Sequence, residues 1–166
     1  MAAAKPSVYV ETTIPSYLAA RPSRDLIVAA HQQVTWEWWQ TRRQEYELFV
    51  STAVIGEIGR GDPEAAARRL GFVDGLPVLQ PVDEIRTLAT AYERELGLAP
   101  SARTDLVHLA YAVLYETDYL VTWNCTHLAN GHVIRRLVQV NADASRFTPT
   151  VVTPDVLLAR ETGEVP

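Results

Sequence analysis

Along the chain, short β-branched runs alternate with longer stretches in which apolar residues recur every three to four positions, the sequence sign of βαβ units on a parallel sheet. Strands are predicted at 7–11 (Ser-Val-Tyr-Val-Glu), 47–51, 77–80, 119–123 and 150–152. Between the first two, Leu26, Ile27, Ala30, Val34 and Trp38 fall near a 3.6-residue period and predict a long helix over 24–44. Further helices are expected at 53–60, 63–72, 83–96, 104–116 and 131–140, with Gly71, Gly75, Gly97 and Gly131 punctuating their ends. Thr12 or Thr13 is suited to cap a helix after the first strand, with Pro15 in its first turn, while Ser51 or Thr52 and, later, Thr104 suit two further caps. The fold class that follows is α/β: a three-layer α/β/α sandwich around a mainly parallel sheet of about five strands.

No repeat, low-complexity tract or long linker divides the 166 residues, so a single domain over 1–166 is expected, with its core at about 7–155. The segment 97–103 is the most loop-like internal stretch, and the tail after Arg160 is expected to fray. No apolar run approaches the roughly 20 residues that cross a bilayer. The opening Met-Ala-Ala-Ala-Lys-Pro lacks an apolar signal core, and Cys125 is the only cysteine, which together point to a reducing cytoplasm and away from a membrane. Cys125 has no partner pattern for zinc.

Charge changes the picture only locally. A formal net charge of −5 argues against coating nucleic acid by bulk electrostatics. Lys5 is the lone lysine, and the arginine pairs Arg42/Arg43, Arg68/Arg69 and Arg135/Arg136 read either as solvated helix faces or as local phosphate contacts. In Trp36-Glu37-Trp38-Trp39 one tryptophan lies on a different helix face from its neighbours, so one monomer is not expected to bury all three. An exposed aromatic there would suit a partner surface.

Ligands of open parallel sheets bind beyond the carboxyl ends of the strands, which draws attention to four polar residues. Glu11 closes the first strand, Glu57 lies one to two turns into the helix after the second, Asp105 opens a strongly apolar helix, and Asn124 follows Leu-Val-Thr-Trp. Carboxylates brought together repel one another, and a hard divalent cation with oxygen ligands removes that conflict. His108 shares a helix face with Asp105 and reads either as a packed, hydrogen-bonding histidine or as a catalytic one. His127 and His132 follow Asn124 closely, and His127 is placed to meet a phosphate or a metal-bound water. There is no Gly-x-Gly-x-x-Gly after the first strand, no phosphate loop and no Gly-x-Ser-x-Gly elbow. Glu11 is also a poor match for the aspartate nucleophile of a phosphoaspartyl phosphatase.

The order Val-Tyr-Val-Glu-Thr-Thr-Ile-Pro-Ser-Tyr, Ser-Thr-Ala-Val-Ile-Gly-Glu-Ile, Thr-Asp-Leu-Val-His-Leu-Ala-Tyr-Ala and Leu-Val-Thr-Trp-Asn resembles the PIN domain over roughly residues 7–155. Many bacterial members of that family are VapC-type toxins of type II toxin–antitoxin systems. The resemblance implies a Mg²⁺- or Mn²⁺-dependent ribonuclease that cuts RNA with a metal-activated water, an antitoxin protein as partner and a homodimer as a natural assembly. Carried onto matching positions, Glu11 replaces the usual first aspartate, Glu57 and Asp105 fit the second and third acidic positions, and Asn124 takes the fourth. All four are the implied metal ligands and catalytic residues, with Thr12, Thr122 and His127 as substrate contacts. A PIN-fold module that binds RNA or a protein without cutting is the alternative.

Overall fold

In the computed structural model, which describes residues 4–159, five short strands form one sheet: β1 (Ser7–Val10), β2 (Glu47–Ser51), β3 (Val78–Leu79), β4 (Tyr119–Val121) and β5 (Thr150–Val152). The order is β3-β2-β1-β4-β5 and every pairing is parallel, with Tyr9 opposite Phe49 on one side and Leu120 on the other. Strands buried on both faces need apolar residues at successive positions, and Val8, Tyr9 and Val10 are all fully buried. The α/β sandwich expected from the pattern is thus the architecture adopted. The tail beyond Arg160, expected to fray, lies outside the described residues.

Among the described residues seven α-helices connect the strands and an eighth follows β5: α1 (Thr13–Ala19), α2 (Leu26–Thr41), α3 (Thr52–Ile58), α4 (Pro63–Val73), α5 (Asp83–Glu95), α6 (Arg103–Leu114), α7 (Gly131–Asp143) and α8 (Pro154–Leu158). Parallel crossovers are right-handed. The chain steps outward from β1 to β2 to β3, then returns past β1 to β4 and β5, so α1, α2 and α4 cover one face and α5–α7 the other, with α3 at the carboxyl edge against both α4 and α6. The packing of α1 on α4 and of α5 on α6 agrees, and α8 closes over α2. The reversal puts the topological switch point between the carboxyl ends of β1 and β4.

Several sequence expectations need correction. The apolar set that predicted α2 is partly the wrong face: Leu26 and Ile27 are 86% and 69% exposed, while Gln32, Thr35, Trp38 and Trp39 are buried. Gln32 is admitted because its amide satisfies Ser23 N–H and Arg21 C=O, and Thr35 because its hydroxyl bonds His31 C=O and Trp123 Nε1. As expected, the three tryptophans divide, with Trp36 exposed at the edge of Phe72. Gly71 lies inside α4, whereas Gly97 follows α5 at φ 65, the left-handed conformation that favours glycine. Thr104 does not cap α6, because a 3-10 turn at Pro100–Ala102 leads directly into it. Thr12 stands at the N-cap position of α1, but its side chain makes no capping hydrogen bond. Ser51 does cap α3, accepting Val54 N–H at 3.2 Å. The helix α8 was not anticipated, five residues being too few to show a period.

At the opposite, amino edge of the sheet, Ser7 N–H and Oγ–H both donate at 2.7 Å to Asp118 just before β4. These bonds hold the Asp118 carboxyl below its ordinary pKa. A depressed carboxyl stabilises the fold at neutral pH, and the contribution is lost as pH falls through the folded-state pKa. Asp118→Asn should therefore lower the urea midpoint at pH 7, and its gap from wild type should close as the pH falls below about 4. A gap independent of pH would contradict this.

Candidate functional site

Glu11 is the first residue beyond β1. Its N–H still bonds Val121 C=O, so the backbone stays against β4 and the side chain is set at the switch point. Glu11 is only 3% exposed. Three donors converge on Oε2: Thr13 N–H at 3.0 Å, Thr13 Oγ–H at 2.6 Å and Thr122 Oγ–H at 2.8 Å. Burying an unpaired carboxylate costs several kcal/mol, and charge-assisted hydrogen bonds of about 1.5–3 kcal/mol each offset that cost. Glu11 Oε2 thereby takes up the free N–H of Thr13, the first residue of α1, a bond that the Thr12 side chain at the N-cap does not make. Oε1 accepts no hydrogen bond among the described residues.

The hydroxyls that hold Glu11 also hold the loop after β4. Thr13 Oγ accepts Trp123 N–H at 2.8 Å, and Thr122 Oγ accepts Asn124 N–H at 2.9 Å. Asn124 Oδ1 in turn accepts Thr126 N–H at 3.2 Å and His127 N–H at 2.9 Å, an Asx turn that sets the position of His127. His127 Nδ1 lies 2.8 Å from Asp105 Oδ2 in the first turn of α6. A carboxylate only accepts, so Nδ1 carries the proton. Glu11 and Asp105, 94 residues apart in the numbering, are thus joined through Thr122, Asn124 and His127.

Glu57 is held from the other side. His108, fully buried, presents Nε2 to Glu57 Oε1 at 3.0 Å and lies 3.4 Å from Thr12 Oγ1. Its Nδ1 meets Tyr9 Oη at 2.7 Å, and Tyr9 Oη meets Ser51 Oγ at 2.6 Å. In the neutral imidazole the direction of this chain is fixed, since Glu57 requires a proton on Nε2, Tyr9 then donates to Nδ1 and Ser51 donates to Tyr9. Burial pushes the Tyr9 phenol well above its ordinary pKa, keeping it an O–H donor. Burial also pushes Glu57 up, but the His108 hydrogen bond, Thr12 and Arg60 outweigh it and leave the carboxyl below its ordinary value.

The four residues singled out by sequence therefore lie along the carboxyl edge of the sheet, and Thr12, Thr122 and His127 are interleaved with them. Their side chains do not converge on a point: among the described residues no group of three or more His, Cys, Asp or Glu side chains is arranged to hold a metal ion. The donor chemistry still fits a hard cation. Glu11 Oε1 and Asp105 Oδ1 lie outside the hydrogen bonds just described, and ionised oxygens are what Mg²⁺ and Mn²⁺ prefer. Of the two readings of His108, the packed and hydrogen-bonding residue is the one the geometry matches. His132 is exposed. Sequence reasoning missed Tyr9 and Thr13; a tyrosine inside a fully buried strand needs a hydroxyl partner, and that was the available signal.

Compared with solved structures, the chain is similar to one in the VapBC2 complex of Rickettsia felis bound to a DNA fragment from their promoter, at 14% identity, 89% coverage of this chain, 98% of that chain and a TM-score of 0.56. It is similar also to a chain of VapBC-1 from nontypeable Haemophilus influenzae, at 14% identity, 90% and 98% coverage and a TM-score of 0.55. No protein-family model matches the sequence, and no curated protein does. At such identity the likeness establishes the fold, the PIN-like α/β/α sandwich over nearly the whole chain. Among the described residues no helix is long and apolar enough to cross a membrane.

Tyr9→Phe would leave Ser51 Oγ and His108 Nδ1 buried without their shared partner. A loss of about 1–3 kcal/mol in urea denaturation is expected, and an unchanged midpoint would contradict the buried relay.

Proposed function

We propose that this protein is a PIN-type endoribonuclease dependent on Mg²⁺ or Mn²⁺, acting in the cytoplasm as the toxin of a type II toxin–antitoxin pair. The observation that carries the reading is the hydrogen-bonded chain from Glu11 at the switch point to Asp105, with Glu57 anchored beside it by His108. The fold shared with chains of two VapBC structures supports it. Glu11, Glu57 and Asp105 would hold the cation directly or through water, with Asn124 beside them as a substrate contact. A divalent cation there supplies Lewis-acid polarisation of a phosphodiester and a water of lowered pKa.

The remaining roles follow from the side chains. Thr122, expected from the sequence as a substrate contact, is fully buried and serves instead to orient the Glu11 carboxylate, while Thr12 stands at the Glu57–His108 contact, within reach of a substrate bound at this edge. Since Asn124 Oδ1 is occupied by two backbone donors, its amide N–H groups are the part available to a phosphate or base. His127, with Nδ1 fixed by Asp105, presents Nε2 to an incoming phosphate when the ring is protonated. An antitoxin or a second copy of the chain would find exposed apolar side chains at Leu26, Ile27 and Trp36.

A catalytically weak or inactive PIN-fold module that binds RNA or a protein is the second reading. It is favoured by the engagement of each acidic residue with hydroxyls or histidines instead of a common centre. Asp105→Asn separates the two. The ribonuclease reading expects Mn²⁺-dependent cleavage of RNA to fall by about 10²-fold or more, with the circular dichroism spectrum unchanged and Mn²⁺ binding weakened in calorimetry. Absence of any Mn²⁺ binding by the wild-type chain would favour the non-cleaving module.

A further inference from the structure

Two hollows lie side by side, the first of them lined by Glu57. That one, of about 380 Å³, is also lined by Arg60 and Thr104 among others; the second, of about 530 Å³, reaches Arg86 and Asp83 on α5. They share Thr52, Ala53, Arg103 and Val107 as wall, so they form one trough running from the candidate cation site across α3 and α6 to α5. Three arginines border it in a chain of net charge −5.

These are not the arginines that come in pairs in the sequence. Arg69 donates to Ile58 C=O and Arg60 C=O, Arg42 pairs with Glu45, Arg43 lies over the Trp39 ring, and Arg136 donates to Glu95 C=O. Those four are occupied in holding the fold together. Arg60 and Arg86 are exposed and make no ion pair among the described residues. Arg103 is fixed at the trough wall by Glu93 and Thr90, each at 3.1 Å. A guanidinium presents a planar fork of donors matched to phosphate oxygens, and the Thr104 hydroxyl adds a further donor.

We propose that this trough binds the phosphate backbone of single-stranded RNA on one side of the scissile bond, with Arg60 and Arg86 as its phosphate contacts. The proposal rests on the ribonuclease reading and adds to it the path of the substrate. A polyanion in the trough runs toward Glu57, so its next phosphate arrives at the carboxylates, and Arg60 offsets their repulsion at the point of entry. An acidic peptide is the other polyanion that the charges would accept, but nothing in its spacing delivers a group to that edge.

The test is anisotropy of a labelled single-stranded RNA bound to the full chain in EDTA, where cleavage is off, across a salt series. Arg60→Ala and Arg86→Ala are each expected to flatten the slope of log K against log[salt] by about 0.7 and to weaken binding about fivefold near 0.1 M salt. Arg86→Lys should keep the slope, and Arg68→Ala, which lines neither hollow, should change nothing. No binding of RNA in EDTA, unchanged slopes in both alanine variants, or arginine-dependent binding of an acidic peptide with RNA unaffected would each overturn the proposal. The two readings fail separately. Arginine-dependent RNA binding without any Mn²⁺-dependent cleavage would leave the trough standing and sink the nuclease; cleavage that ignores both arginines would do the reverse.

Discussion

The buried carboxylate of Glu11 is the constraint around which this edge of the molecule is built. The charge of a residue that is 3% exposed persists only if its surroundings solvate it, and here the solvation comes from Thr13 at the start of α1 and Thr122 at the end of β4. Because the same two hydroxyls accept Trp123 N–H and Asn124 N–H, stabilising the charge also fixes the loop after β4. That loop carries His127 to Asp105. One electrostatic requirement thereby orders β1, α1, β4 and α6 relative to each other.

A second buried chain does the same for Glu57. Ser51 closes α3 with its cap and, through Tyr9 and His108, reaches the carboxylate carried on that same helix. The two chains approach at Thr12, whose neighbours Glu11 and Thr13 belong to the first and whose hydroxyl lies 3.4 Å from His108 in the second. Rigid elements and satisfied polar networks hold side chains more closely than loops do, which is what a cation site requires. The cost is that each carboxylate is already engaged, so binding an ion exchanges part of these bonds for metal–oxygen contacts.

The sheet was legible in the sequence because its central strands are buried on both faces and read as unbroken apolar runs, such as Val8 to Val10. The site was legible as a set of residues for a related reason: in a parallel sheet every strand ends on the same edge, so a polar residue after each apolar run already has an address. What could not be read was how those residues are tied together. Tyr9–His108 spans 99 positions and Thr122–Glu11 spans 111, contacts that depend on strand order, which periodicity does not encode. The face of α2 was misjudged because burial there follows satisfied hydrogen bonds at Gln32 and Thr35 and not hydropathy. The partner-free arginines of the trough were equally hidden, since adjacency in sequence drew attention to Arg42/Arg43 and Arg68/Arg69 instead.

The central claim is that Glu11, Glu57 and Asp105 belong to one divalent-cation site at the switch point. A crystal structure of the protein soaked in Mn²⁺, examined in anomalous difference density, tests it most directly. The account predicts a peak bounded by those three carboxylates with Asn124 at its margin; density confined to other surface carboxylates, with these three still bonded to Thr13, His108 and His127, would contradict it.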